Sequence, residues 1–278
     1  MDNIKRFIVY SNLFIAICAV AMVYQTYSFL LDTHADLNFL LFVFFATICS
    51  YSFHWYLPSH ATQLSARGVW TANNKIILGL LFLLGLVGSI ITFINLKTYW
   101  TWLVGAVFIT FMYSAPKLPL VFFKELRKLA VGKTIFLALV WTYVTTWLPI
   151  IISPVPWKED FYLFLLSRFF LIYAVCILFD YRDRADDKKA GIRSLITYLS
   201  ERSITFLFFF SLVIFALTTS GLIFYDYDPL SIFLLLIPGI LIALLYNYAR
   251  KNFSDILYYL VLDGLMAFSA FLMLIPGI

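Results

Sequence analysis

The sequence predicts an all-α, polytopic membrane bundle of about nine transmembrane helices. Three observations carry that reading. Of 278 residues, 63 % are hydrophobic and 13 % charged, whereas a soluble domain holds about 45–50 % apolar and about 25 % charged residues. The apolar residues gather in runs near 7–30, 38–57, 76–95, 98–115, 134–153, 161–179, 203–224, 229–248 and 255–276, close to the roughly 20 residues a helix needs to cross a bilayer. Lys and Arg then sort by side. With the N-terminus cytoplasmic, seventeen of the twenty fall on that face, only Lys97 and Lys158 on the other, and Arg168 inside a run. That is a positive-inside distribution, and a miscounted helix would mix the two groups.

The runs suit helices, because backbone polar groups in lipid must be satisfied within the segment and barrel strands are shorter. In the first run Lys5 and Arg6 precede the apolar stretch, and Ala19-Val20-Ala21 resembles a signal-peptidase site. The run continues through Met22–Leu31, past the roughly 7–15 residues of a signal core, so an uncleaved first span is expected. Pro58, Pro116, Pro149 and Pro229 fall at or near span ends, where a missing N–H costs least. Cys18, Cys49 and Cys176 sit in apolar runs with neither zinc nor disulfide spacing. They read as packed, inert thiols. No low-complexity segment or linker interrupts the chain, which reads as one integral-membrane domain, residues 1–278. The net charge of +5 is explained by topology and anionic lipid rather than by nucleic acid.

Chemistry gathers after the sixth run, in Asp180-Tyr-Arg-Asp183-Arg-Ala-Asp186-Asp187-Lys-Lys-Ala-Gly191-Ile-Arg193. If the helix continues by two turns, Asp180, Asp183 and Asp187 share one stripe. Clustered carboxylates repel unless a hard cation lies between them, and Mg²⁺ prefers a few carboxylates plus water and phosphate oxygens. Arg182, Arg184, Lys188, Lys189 and Arg193 are interleaved and could neutralise a diphosphate. Gly191 suits the helix end. Two charges fall within runs. Arg168 lies about 12 Å into the sixth and Asp263 about 13 Å into the ninth, from opposite faces. A direct ion pair between them is expected, with cavity-facing functional charges as the alternative.

The pattern Asp180-x-x-Asp183-x-x-x-Asp187, followed by Ala190-Gly191-x-x-Ser194, resembles the second aspartate-rich motif of the UbiA superfamily of intramembrane prenyltransferases. Tyr113-Ser-Ala-Pro116 followed by Lys117, Lys124, Arg127, Lys128 and Gly132-Lys133 resembles that family's tyrosine-proline-basic loop. The resemblance implies a helical bundle with a cavity open to the cytoplasm and to lipid. It also implies an isoprenoid diphosphate held through Mg²⁺, and prenyl transfer to a lipophilic acceptor. Carried onto this chain, Asp180, Asp183 and Asp187 would hold the metal. Lys117, Lys133, Lys188 and Arg184 would contact the diphosphate. His54, Arg67, Tyr113, Arg168 and Asp263 are candidate polar groups of the cavity.

The chain departs from the family at the first aspartate-rich motif. The corresponding stretch, Cys49 to His60, contains no acid, and no Asp or Glu occurs between Asp36 and Glu125. His54 and His60 are no substitute, since imidazole suits softer metals than Mg²⁺. His54, Asn73, Asn74, Arg67 and Lys75 could instead donate directly to a diphosphate. Three readings follow: a divergent prenyltransferase, a non-catalytic isoprenoid- or quinone-binding or scaffolding protein of the same fold, and a small-molecule transporter. The paired broken helices typical of transporters are not evident. The N-terminus and the Asp180–Arg193 segment are expected to be cytoplasmic.

Overall fold

The computed structural model describes residues 3–57, 65–115, 132–189 and 194–274. Helices fill these stretches, with no strand among the described residues. Seven are long and apolar enough to cross a bilayer. They are α2 (Leu13–Leu30), α3 (Leu37–Tyr56), α5 (Lys75–Asn95), α7 (Lys133–Ile152), α8 (Asp160–Lys189), α10 (Glu201–Tyr225) and α11 (Pro229–Ala249). Shorter helices are α1 (Asn3–Tyr10), α4 (Ala66–Asn73), α6 (Trp100–Ser114), α9 (Leu195–Tyr198) and α12 (Leu257–Met273). The chain is thus a multi-pass helical membrane protein. All nine expected stretches carry helix, but α6 and α12, with 15 and 17 residues, would extend only about 22 and 25 Å. Among the described residues, length and composition thus support seven membrane-crossing helices.

Two boundaries differ instructively from the sequence pattern. The first run was expected to be one helix from residue 7, yet Asn12 has φ 69° and separates α1 from α2. Asn tolerates this left-handed conformation. Its side chain is held on both sides, donating to Ser52 Oγ at 3.3 Å and accepting from Arg67 Nη2 at 2.6 Å. The sixth run was expected to end at residue 179, but α8 continues to Lys189. Its 30 residues extend about 45 Å, against a hydrocarbon core of about 30 Å. The charged stretch from Asp180 to Lys189 is therefore an extension of the helix rather than a loop.

The chain forms two compact units: residues 1–20 with 35–129, and residues 21–34 with 130–278. In the first, α3 and α5 pack closely because Gly85 brings their backbones together. A Cβ at Gly85 would stand 2.6 Å from Cys49 N and 2.8 Å from Phe45 O, the small-residue contact that membrane helices favour. The opposite side of α5 exposes Ile76, Leu80, Leu83, Val87, Ile91 and Ile94. That apolar stripe is untenable in water and ordinary in lipid. Asp36 and Ser65 cap α3 and α4, accepting from Phe39 N and Gly68 N.

In the second unit α8 is the central strut, packed against α7 and α10. Phe161, Phe164, Ile172, Ala174, Ile177 and Leu178 are buried along it. Ser200 and Asp228 cap α10 and α11. Tyr227 donates to Asp160 Oδ2 at the start of α8. Burial, and then that bond, push the Tyr227 phenol well above its ordinary pKa. Three π-helical stretches occur here: Thr26–Leu30, Tyr143–Trp147 and Leu257–Leu262. Such wide turns often mark functional or strained positions.

Candidate functional site

The polar end of α8 divides by helical geometry. Seven residues make almost two turns, so Asp180 and Asp187 lie about 20° apart around the axis, while Asp183 lies about 60° from Asp180. The side chains follow that division. Asp180 and Asp187 are buried and both face the ammonium of Lys133, at 3.6 Å and 3.9 Å. Thr134 Oγ1 donates to the second oxygen of Asp180. Lys133 and Thr134 open α7, so Asp180 also stands by a helix N-terminus, which favours negative charge.

Asp183 turns away from this pair. Its Oδ1 accepts from Arg182 Nε at 2.8 Å, and Arg182 Nη2 donates to Tyr259 Oη at 2.9 Å. The Arg182 guanidinium lies 4.6–5.2 Å from the ring centroids of Phe179, Tyr258 and Tyr259, a cation enclosed by aromatic faces. Tyr258 and Tyr259 both come from the π-helical stretch that opens α12.

A third group closes the segment. Glu201, first residue of α10, accepts from Arg184, Arg250 and the Tyr181 hydroxyl. Arg184 Nη2 also donates to Leu199 O at 2.7 Å. Arg184, a candidate diphosphate contact in the sequence, is thus engaged in fixing α8 to α10. Lys188 is exposed, and Lys189 pairs with Asp186 at 3.6 Å one turn away. Lys117, Lys124, Arg127, Lys128, His60, Gly191 and Arg193 lie outside the described residues.

The expected Arg168–Asp263 ion pair does not form. Arg168 is buried, and its hydrogens go to neutral oxygens: Gln25 Oε1 at 2.6 Å, Met22 O at 2.7 Å, and Thr26 Oγ1 and Thr145 O at 3.2 Å. The Phe164 ring lies 4.7 Å away. One reason Thr145 O is available lies four residues on. Pro149 has no N–H to give it, and Thr26 Oγ1 takes the same carbonyl at 2.7 Å. Backbone carbonyls and an amide thus do the work expected of a carboxylate. Asp263 instead lies within electrostatic reach of Cys176, as do Asp180 and Lys133.

In the other unit His54 stacks on Tyr113, with centroids 5.2 Å apart, and its Nδ1 lies 3.1 Å from Ser114 Oγ. Arg67 is buried, bonded to Asn12 and set 4.1 Å from the Trp55 ring. These three candidate cavity residues have local structural engagements. The three cysteines form no disulfide, and Cys18 and Cys176 are buried.

Sequence reasoning missed Thr134, Gln25, Glu201, Arg250 and Tyr259. Gln25 carried a readable signal, an amide within an apolar run. The others depended on contacts between distant segments.

The donor set can be tested against the implied Mg²⁺. Asp180 and Asp187 suit a hard divalent cation completed by water and phosphate oxygens. They are buried, share one point of approach, and Asp180 is oriented by Thr134. Asp183, turned to Arg182, does not join that point. Among the described residues no group of three or more His, Cys, Asp or Glu side chains converges tightly enough for a metal. A metal here would rely on ligand oxygens as well as on the two aspartates. No protein-family model matches the chain, and neither does any curated protein or solved structure.

Proposed function

We propose that this protein is a divergent UbiA-type prenyltransferase that binds an isoprenoid diphosphate at the charged end of α8 and transfers the prenyl group to a lipophilic acceptor. One observation carries the reading: Asp180 and Asp187 converge with Lys133 and Thr134 at the end of a long apolar helix. A water-seeking head group and a lipid-seeking tail would both find their environment there. In this reading α6 and α12 also cross the membrane, giving nine spans. The N-terminus and the 180–193 segment are cytoplasmic, as the Lys and Arg distribution supports.

Asp180 and Asp187 would hold Mg²⁺, whose chemistry is to stabilise the charge that develops on the departing diphosphate. The chain's own residues supply the rest. Lys133 offers an ammonium to the phosphate oxygens, and the exposed Lys188 on α8 is a further basic contact; Lys117 keeps the role the resemblance gives it. Thr134 keeps Asp180 in orientation. The allylic C–O bond breaks with its electron pair leaving on diphosphate, and a bond forms to the acceptor, which loses a proton. No residue is assigned to that proton.

The decisive measurement is binding and turnover of labelled farnesyl and geranylgeranyl diphosphates with Mg²⁺ and membrane lipid extract. Asp180→Asn and Asp187→Asn should each lower metal-dependent diphosphate binding by about 10-fold or more, the scale of losing a ligand or its support. Undiminished binding and product formation in the double variant would refute the assignment.

A second reading has its own support. Lys133 already neutralises part of the aspartate pair, and the chain from residue 37 to 124 contains no acid to build the usual second metal cluster. Both suit a non-catalytic isoprenoid- or quinone-binding protein. An isoprenoid or quinone that co-purifies and stays bound through chelation, without turnover of any diphosphate, would favour it.

A further inference from the structure

We propose that Lys133 is a resident counter-cation which excludes a divalent metal from Asp180 and Asp187 until a diphosphate draws the ammonium away. The inference rests on the diphosphate-binding reading above and specifies how that site is regulated.

The asymmetry of the cluster motivates it. The two carboxylates are buried, with side chains 7 % exposed, whereas the Lys133 side chain is 31 % exposed. Asp180 is further oriented by Thr134. Lys133 stands at 3.6 and 3.9 Å, inside ion-pair range but beyond hydrogen-bond length. Toward these two carboxylates the ammonium is therefore held by charge at ion-pair distance. It projects from the first residue of α7, after Gly132, on a flexible four-carbon stem.

Charge counting then sets the order of events. Two aspartates and one lysine carry a net charge of −1. Adding a divalent cation makes the cluster +1, with the metal and the ammonium crowded against the same carboxylates. Like charges at such separation are costly where water is scarce. A diphosphate reverses this, because it offers anionic oxygens to the metal and to Lys133 together. Metal and diphosphate therefore bind with positive coupling, each raising the other's affinity. Neither free metal nor free phosphate occupies the site strongly alone.

The test uses the full-length protein in detergent, with Mn²⁺ as the probe, read as loss of the free-ion electron paramagnetic resonance signal. Without diphosphate, the unaltered protein should bind Mn²⁺ weakly. Lys133→Met and Lys133→Gln should each bind it at least about 10-fold more tightly, the scale of removing a cation within 4–6 Å. Lys133→Arg, which keeps the charge, should remain weak. Equal or weaker Mn²⁺ binding in a folded Lys133→Met or Lys133→Gln protein overturns the proposal, as does Mn²⁺ binding in those variants that survives Asp180→Asn/Asp187→Asn. A separate measurement follows the non-reactive farnesyl thiodiphosphate. If Mn²⁺ tightens as expected but never promotes its binding, the counter-cation stands and the transferase reading falls. If the analogue binds with Mn²⁺ while Lys133→Met leaves metal affinity unchanged, the transferase reading stands and the counter-cation falls.

Discussion

At Arg168 a full positive charge inside a span is received by four neutral oxygens. Hydrogen bonds to charged partners contribute about 1.5–3 kcal/mol each, against about 0.5–1.5 kcal/mol for neutral ones. Gln25 makes both kinds, accepting from Arg168 and donating to Ser269 Oγ at 3.1 Å and Met273 Sδ at 3.2 Å. Gln25→Ala should therefore lower stability by about 2 kcal/mol or more, and Ser269→Ala by about 1 kcal/mol or less. Thermal unfolding of the purified variants in one detergent checks the difference. Equal losses would mean that the guanidinium does not depend on Gln25. The sequence marked Arg168 as exceptional but named the wrong partner. Charge pairing was the simplest rule available, and the role of the Thr145 carbonyl emerges only when Pro149, Thr26 and α8 are seen together.

Helix boundaries obey the same limit on what sequence carries. Hydropathy located the apolar runs because lipid solvation acts residue by residue. It located neither the break at Asn12 nor the extension of α8 through Lys189. Both are set by side-chain partners from elsewhere in the chain, Ser52 and Arg67 in one case, Glu201 and Lys133 in the other. At the candidate site the stripe rule placed Asp180 beside Asp187, while Arg182 and Tyr259 decided the orientation of Asp183. The contact of α3 with α5 yields a graded prediction. A Cβ at Gly85 meets rigid backbone, one at Gly88 meets the Phe45 ring at 2.4 Å, and one at Gly79 meets nothing within 4 Å. Overpacking costs about 1–3 kcal/mol when neighbours cannot move. Gly85→Ala should fall in that range, Gly88→Ala should too because Phe45 Cγ lies on the axis about which the ring turns and cannot swing aside, and Gly79→Ala should be neutral or stabilising. Unfolding in mixed micelles would rank the three, and a Gly79→Ala loss as large as that of Gly85→Ala would contradict the packing argument.

For the whole molecule, orientation is the property on which the proposed site depends, since a soluble diphosphate must reach the charged end of α8. Lys158 and Ala185 flank the membrane portion of α8 and are both exposed. In a background lacking Cys18, Cys49 and Cys176, Lys158→Cys should react with a membrane-impermeant maleimide in intact cells. Ala185→Cys should react only after permeabilisation. The reverse pattern would invert the topology and remove the cytoplasmic donor from consideration.

The position of Arg168 also bears on the order in which the protein is made. The ribosome completes α2 and α7 before α8, and those two helices hold all four oxygens that receive the guanidinium. A lone arginine at a span's centre opposes translocon insertion by about 2.5–3.5 kcal/mol. The nascent α8 can enter against a prepared surface instead of bare lipid. Synthesis from N- to C-terminus thus doubles as an assembly schedule, and a chain deprived of α2 would present the insertion machinery with a charge that has lost its main hosts.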